Sequence, residues 1–116
     1  MADRFGPEIR LHKRPEFLAV ERGGRRVSGR FVTLVGKPSG RPADRLGIVA
    51  SRRVGGAVER NRAKRRLREI FRRRARPEGQ RSLDVVAIAK PEMIRSAFAL
   101  VQSDFLAALT KLRGAR

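Results

Sequence analysis

The sequence predicts a mixed α/β (α+β) two-layer sandwich, a small mixed sheet covered by helices, in one domain spanning residues 1–116. Three observations predict it. Two apolar, β-branched segments, residues 45–51 and 83–89, flank a helical one at residues 57–74, which makes a βαβ unit. The segment from Pro91 onward repeats apolar residues in steps of three or four: Ile94, Phe98, Val101, Phe105, Leu109 with Ala108, and Leu112. Residues 83–89 are almost continuously apolar, the pattern of a strand covered on both faces.

The elements follow in order. Residues 1–14 form a polar, flexible lead with Gly6 and Pro7 as breakers. Pro15 suits the first turn of a short helix to about residue 22, which turns Phe17, Leu18 and Val20 inward and stops at Gly23-Gly24. Residues 25–28 and, more strongly, 30–35 read as strands, and residues 36–44 as a loop. Gly55-Gly56 leads into the helix at 57–74, which Pro77 and Gly79 end. Pro91 opens the last helix, which closes near Arg113-Gly114.

Charge narrows the function. Lys and Arg number 29 against 11 Asp and Glu, a formal net charge of +18. A domain this basic repels itself unless it meets a polyanion, either nucleic acid or an anionic membrane surface. There is no cysteine, which excludes disulfides, a thiolate nucleophile and Cys-based zinc sites. His12 is the single histidine, which excludes a paired-His metal site and argues against a Ser-His-Asp triad. No catalytic residue and no metal ligand is therefore expected on this chain. The N-terminal segment is too charged for a signal peptide and the apolar runs are too short to span a bilayer. The expected location is cytoplasmic, with no membrane partner.

The segment from Arg60 to Arg76 carries the function. Ten of its 17 residues are basic, nine of them Arg, and Glu69 is its one acid. At 100° per residue Ala63, Leu67, Ile70 and Phe71 fall within one apolar arc, with Asn61, Arg65, Arg68 and Arg72 in a stripe beside it. A solvated charged face would carry both signs. Here like charges stand at i,i+4 (Arg60/Lys64, Lys64/Arg68, Arg62/Arg66, Arg68/Arg72), each costing a few tenths of a kcal/mol in an isolated helix. Guanidinium groups bond phosphate in bidentate fashion, so the array suits nucleic acid. The apolar arc marks a folded helix, not a targeting address, and is too narrow for a membrane-surface helix. Arg52, Arg53 and the Gly55-Gly56 turn precede the helix N-terminus and extend the phosphate-binding surface.

Residues 45–72, RLGIVASRRVGGAVERNRAKRRLREIFR, resemble the signature of the bacterial ribonuclease P protein component. That pattern runs from a strand through Ser-basic-basic, Gly and Ala-Val to Arg-Asn-Arg-x-Lys-Arg-x-x-Arg on a helix. Arg60, Asn61, Arg62, Lys64, Arg65 and Arg68 match it without a gap, and Ala89-Lys90-Pro91 matches the end of the family's following strand. The resemblance implies a left-handed βαβ crossover, against the usual hand. It implies binding to a large catalytic RNA, with Arg52, Arg53, the helix residues and Lys90 at the RNA interface. It implies cleavage of the 5′ leader of precursor tRNA, with catalysis by the RNA and its Mg²⁺, and no metal bound by the protein alone. The expected assembly is one protein per RNA, with no DNA partner.

The resemblance also implies a leader cleft between the first helix and the sheet, lined by Phe17, Val32 and Leu34, with Phe31 in the core. Single-stranded RNA is held by stacking and apolar contact beside basic groups. Glu21 and Leu34 stand where relatives often carry aromatics, and the chain has no Tyr or Trp. Apolar contact and phosphate pairing are therefore expected to carry more of the binding than stacking. Ser51 reads as a donor to RNA backbone, and Asp84 and Glu69 as structural acids. The alternative is a structural RNA-binding protein of ribosomal type, without a role in tRNA processing. A self-sufficient nuclease would need carboxylate or His clusters that the composition hardly supplies.

Overall fold

A computed structural model describes residues 10, 11, 13–74 and 81–114. The expectations for the leading segment up to residue 9, His12, Pro77 and Gly79 lie outside the described residues. The chain runs α1 (Arg14–Gly23), β1 (Arg25–Ser28), β2 (Val32–Pro38), β3 (Arg45–Val49), α2 (Ala57–Arg73), β4 (Leu83–Ala89), a 3₁₀ helix (Pro91–Arg95) and α3 (Phe98–Gly114). The four strands form one mixed sheet in the order β1-β2-β4-β3. β1/β2 and β2/β4 are antiparallel, while β3/β4 is parallel because α2 carries the chain back between them.

The mixed α+β architecture is the one the sequence predicts, with helices on both faces. The apolar arc of α2 (Ala63, Leu67, Ile70, Phe71) and that of α3 (Val101, Phe105, Ala108, Leu109, Leu112) are buried together against one face. α1 and the preceding Leu11 cover part of the other, where Val20, Leu11, Val35 and Val86 form a smaller core. β4 lies between the two cores, which explains its continuous apolar run.

The strand expected at 30–35 starts at Val32, the one expected at 45–51 ends at Val49, and two further boundaries differ more. β2 continues through Gly36 and Lys37 to Pro38, so the loop is only residues 39–44, with Gly40 at φ +72°. Gly36 pairs with Arg25 and Val85, and Pro38 takes the terminal position that a residue without an N–H tolerates. The last helix is broken: Pro91–Arg95 is a separate 3₁₀ turn that buries Met93. Arg66 of α2 ends that turn by donating from Nη1 to the carbonyls of Met93 (3.2 Å) and Ser96 (2.9 Å). Those carbonyls are thereby directed at Arg66 instead of forward into a continuous helix.

Two buried ionic knots tie the layers. Asp44 accepts the Leu83 N–H at 2.8 Å and pairs with Arg74 (3.1 Å) and Arg113, joining the loop, the end of α2 and the end of α3. Arg45 of β3 makes a two-pronged bond to Asp84 of β4, Nε to Oδ1 and Nη2 to Oδ2, both 2.9 Å. Its Nη1 reaches Glu16 of α1 at 3.1 Å.

Candidate nucleic-acid interface

α2 sorts its own cations. Arg66 is engaged with the 3₁₀ turn, Arg72 and Arg73 both pair with Glu69, and Arg74 pairs with Asp44. The hydrogen bond from Arg72 is the foremost reason the Glu69 carboxyl is held below the ordinary glutamate range. By contrast Arg60, Asn61, Arg62, Lys64, Arg65 and Arg68 make no side-chain hydrogen bond or ion pair among the described residues. These six are the positions singled out from the sequence. Asn61, Arg62, Arg65 and Arg68 are exposed, while Arg60 and Lys64 are half-buried beside the apolar arc. An array of guanidinium groups with no internal partner is a surface whose charge must be met from outside.

The β3–α2 connection lies ahead of that face. Residues 52–54 form a turn closed by Val54 N–H to the Ser51 carbonyl (3.0 Å) and Gly55 N–H to that of Arg52 (3.1 Å). It leaves Arg52 and Arg53 exposed. Gly55 adopts φ +146°, open only to glycine. A carboxylate stands at the helix N-terminus, where Glu59 Oε1 takes the Gly56 N–H at 3.0 Å and offsets the attraction of that end for an anion. The phosphate-binding capacity of this connection therefore lies in its arginines. Ser51 is exposed, and its Oγ is engaged locally, accepting the Arg53 N–H at 3.3 Å.

The second surface is the open part of the sheet face under α1. Strand register builds it as a row: Val49 of β3 stands opposite Ile88 of β4, Ile88 opposite Thr33 of β2, and Thr33 opposite Ser28 of β1. Val49 and Ile88 remain half-buried at the margin of the small core. Lys90 closes one side, its Nζ donating to Ser28 Oγ (2.9 Å) and to the Gly29 carbonyl. In the adjacent row Gly47, Val86 and Val35 lie under α1, and Arg26 stands exposed at its β1 end.

α1 buries only Val20 fully, so apolar packing alone holds it weakly. Glu16 fixes it, bridging the Lys13 N–H (3.1 Å) at the start of α1 to Arg45 on the sheet. That contact places the next residue, Phe17, over Gly47. Phe17 lies between two hollows. One, of about 370 Å³, is shared with Arg14, Leu18, Glu21 and Val49. The other, of about 230 Å³, is shared with Gly47, Ile48, Lys64 and Arg68. Phe17 therefore joins the α1 face to the unpaired cations of α2.

Two expected cleft residues are elsewhere. Val32 and Leu34 are fully buried in the large core beneath α2 and α3 and cannot touch a ligand in the α1 cleft. Residues of opposite parity, Thr33 and Val35, face α1. Phe31 is in the large core as expected, but it precedes the first residue of β2 and so does not report the strand's parity. The residues that do stand on the α1 face, Val49 beside Phe17, half-buried Ile88 and buried Thr33, sit in strands readable from the sequence. Only the cross-strand register brings them together.

Six described acidic side chains are engaged within the fold: Asp44, Asp84, Glu16, Glu59 and Glu69 as above, and Asp104, which accepts the N–H groups of Arg30, Phe31 and Val32. Among the described residues no group of three or more acidic or His side chains is placed to hold a metal ion. No described helix is long and apolar enough to cross a membrane.

The sequence matches the family model for Ribonuclease P over residues 5–113. It is 43% identical over 90 residues to the ribonuclease P protein component of Thermus aquaticus, covering 78% of this chain and 52% of that protein. So the chain spans about half the length of that relative. Against the component from Chloroflexus aurantiacus it is 41% identical, covering 86% and 74%; against that of Gluconacetobacter diazotrophicus it is 40% identical, covering 99% of each. Its fold is similar to the RNase P protein of Staphylococcus aureus, with a TM-score of 0.78, 25% identity and 91% and 98% of the two chains covered. The Thermotoga maritima RNase P protein gives a TM-score of 0.77 at 32% identity, covering 90% and 98%. On the motif, the fold and these likenesses together, the chain belongs to the ribonuclease P protein component family.

Proposed function

We propose that this chain is the protein subunit of a ribonucleoprotein that removes the 5′ leader of precursor tRNA. In this reading it binds a catalytic RNA through α2 and the leader through the α1 face. The observation that carries it is the division of cations on α2. The motif positions Arg60, Arg62, Lys64, Arg65 and Arg68 have no partner among the described residues, while the other arginines of the helix are engaged in the fold. Arg52 and Arg53 extend the RNA surface at the head of α2, and Lys90 borders the leader face.

The bond-breaking groups are assigned to the RNA. Mg²⁺ supplies charge stabilisation for phosphodiester hydrolysis and is held mainly by the RNA. Among the described residues no group of acidic side chains fits such an ion, and the buried carboxylates of Asp44 and Asp84 are tied to Arg and backbone N–H groups; no step is routed through them. The chain's part is to neutralise phosphates with Arg, to hold the leader against Phe17, Val49 and Ile88, and to fix one protein against one RNA.

The test is cleavage of precursor tRNA at low, near-physiological Mg²⁺ by the cognate RNA alone, by this protein alone, and by both. Leader release only in the combined reaction supports the proposal. Cleavage by the protein alone would place the chemistry on this chain, and no gain on combining would leave a structural RNA-binding protein. Replacing Arg60, Arg62 and Arg65 together by Ala should abolish tight binding to the catalytic RNA with the fold intact. It should also flatten the salt dependence of any residual binding, by roughly 0.7–0.9 in log–log slope per charge.

A further inference from the structure

A second group of cations gathers at the opposite edge of the sheet from α2. Arg26 of β1 stands opposite Val35, and Val35 faces α1, so Arg26 is on the α1 face. Lys37 of β2 is on the same face by strand alternation, and its side chain lies 3.8 Å from where a Cβ would stand on Gly23. Arg22, in the last turn of α1, adjoins Gly23. Arg22, Arg26 and Lys37 therefore stand around the corner of the sheet where the end of α1 runs into β1. None of the three makes an ion pair or side-chain hydrogen bond among the described residues. The nearest acid on α1, Glu21, lines the Phe17 hollow together with Arg14.

The floor row connects the two charged ends. Val49, Ile88, Thr33 and Ser28 cross all four strands in direct register, a span of roughly 14 Å at about 4.8 Å per strand. Arg26 stands two residues from Ser28 on the same strand and the same face. A chain laid along this row from the Lys64/Arg68 end therefore leaves the sheet beside Arg26, at the corner where α1 ends. Both ends being cationic and the floor uncharged is the layout that tracks a polyanionic single strand.

We propose that Arg22, Arg26 and Lys37 form an exit site that takes the phosphodiester backbone of single-stranded RNA after it has crossed the α1 face. Resting on the function proposed above, that RNA is the part of the leader farthest from the cleavage point. The site thus makes affinity depend on leader length. The rival role of these cations is to keep an exposed edge strand from pairing with another copy.

The experiment uses the reconstituted holoenzyme and two precursor tRNAs. One has a short leader that ends on the sheet, and the other has a leader long enough to pass β1. The variants are Arg22→Ala/Arg26→Ala, both exposed positions, and Arg26→Glu, which keeps a charge on the edge. The expected result is that the preference for the long leader falls about tenfold in the double variant and further in Arg26→Glu. The salt slope for the long leader should drop by about 1.4, at about 0.7 per single-strand contact. An unchanged preference, or an equal loss on both substrates, would overturn the proposal. So would an unchanged preference accompanied by self-association of the double variant, which would assign these cations to edge protection. If wild-type protein gives no gain with either leader, the function itself is wrong and this site falls with it.

Discussion

The ring edge of Phe17 occupies the space a side chain would take at residue 47: a Cβ built on Gly47 would stand 2.6 Å from both Cε2 and Cζ. An aromatic on a short helix is thereby seated against bare strand backbone, beside Lys64 and Arg68. Gly47→Ala should force the ring out and cost about 1–3 kcal/mol in stability, the usual range for overpacking. Combining it with Phe17→Ala should recover most of that loss, because the clash is removed with the ring. Urea denaturation of the four proteins in the cycle reads the coupling; additive losses would show that the ring does not press on Gly47.

Arg45 should prove the most sensitive single charge in the fold. It holds Asp84 with two bonds of 2.9 Å and tethers α1 through Glu16. Arg45→Met leaves Asp84 buried without its partner and should cost about 3–5 kcal/mol. Glu16→Gln breaks only the tether, which is more exposed. It should lower stability by about 1 kcal/mol or less while weakening leader-dependent affinity, since Phe17 follows directly. Denaturation midpoints and leader-dependent binding, measured on both variants, separate the two effects.

Neighbouring arginines on α2 should behave oppositely. Arg65 is exposed and has no partner among the described residues, whereas Arg66 donates to the Met93 and Ser96 carbonyls. Arg65→Ala should weaken RNA binding and leave the melting temperature within a degree or two, as expected for a surface change. Arg66→Ala should cost about 1–3 kcal/mol in stability by removing the Ser96 carbonyl's donor and one of the two donors to the Met93 carbonyl. Equal effects of the two on RNA affinity would refute the division of cations.

Acid should loosen the knot at Asp44. Burial pushes its carboxyl up, but the Leu83 N–H, Arg113 and Arg74 outweigh that and hold it below the ordinary aspartate value. A carboxyl lowered on folding stabilises the protein above its unfolded value, and that contribution is lost as pH falls through the folded value. Stability from this group should therefore be flat above about pH 5 and decline below about pH 4. Asp44→Asn should be less stable at neutral pH and show a shallower acid decline, measured as urea midpoints across pH.

Leu34→Ala and Ile88→Ser test the revised cleft. Leu34 is fully buried in the large core, so its truncation should cost about 2–5 kcal/mol. Ile88 is half-buried on the α1 face, and Ile88→Ser should change leader affinity with a smaller stability loss. Binding assays beside melting curves distinguish the two.

The sequence by itself determined the order of the main elements and the motif cations of α2 that face outward. Periodicity along α2 separates Ala63, Leu67, Ile70 and Phe71 from Arg65 and Arg68, because a helix face is set by 3.6 residues per turn wherever the helix sits. The run of β4 announced two covered faces for the same local reason. What only the tertiary structure decided is which strand parity meets which helix. Alternation sorts Val32 and Leu34 from Thr33 and Val35, but nothing within β2 says which set lies under α1. That choice depends on register with β1 and β4 and on the Glu16–Arg45–Asp84 tether, contacts between residues far apart in the chain. The same distance in sequence hid the row Val49–Ile88–Thr33–Ser28 and the ending of the 3₁₀ turn by Arg66. Each arises where separate elements meet, so its energy belongs to the assembled sheet and not to any local pattern.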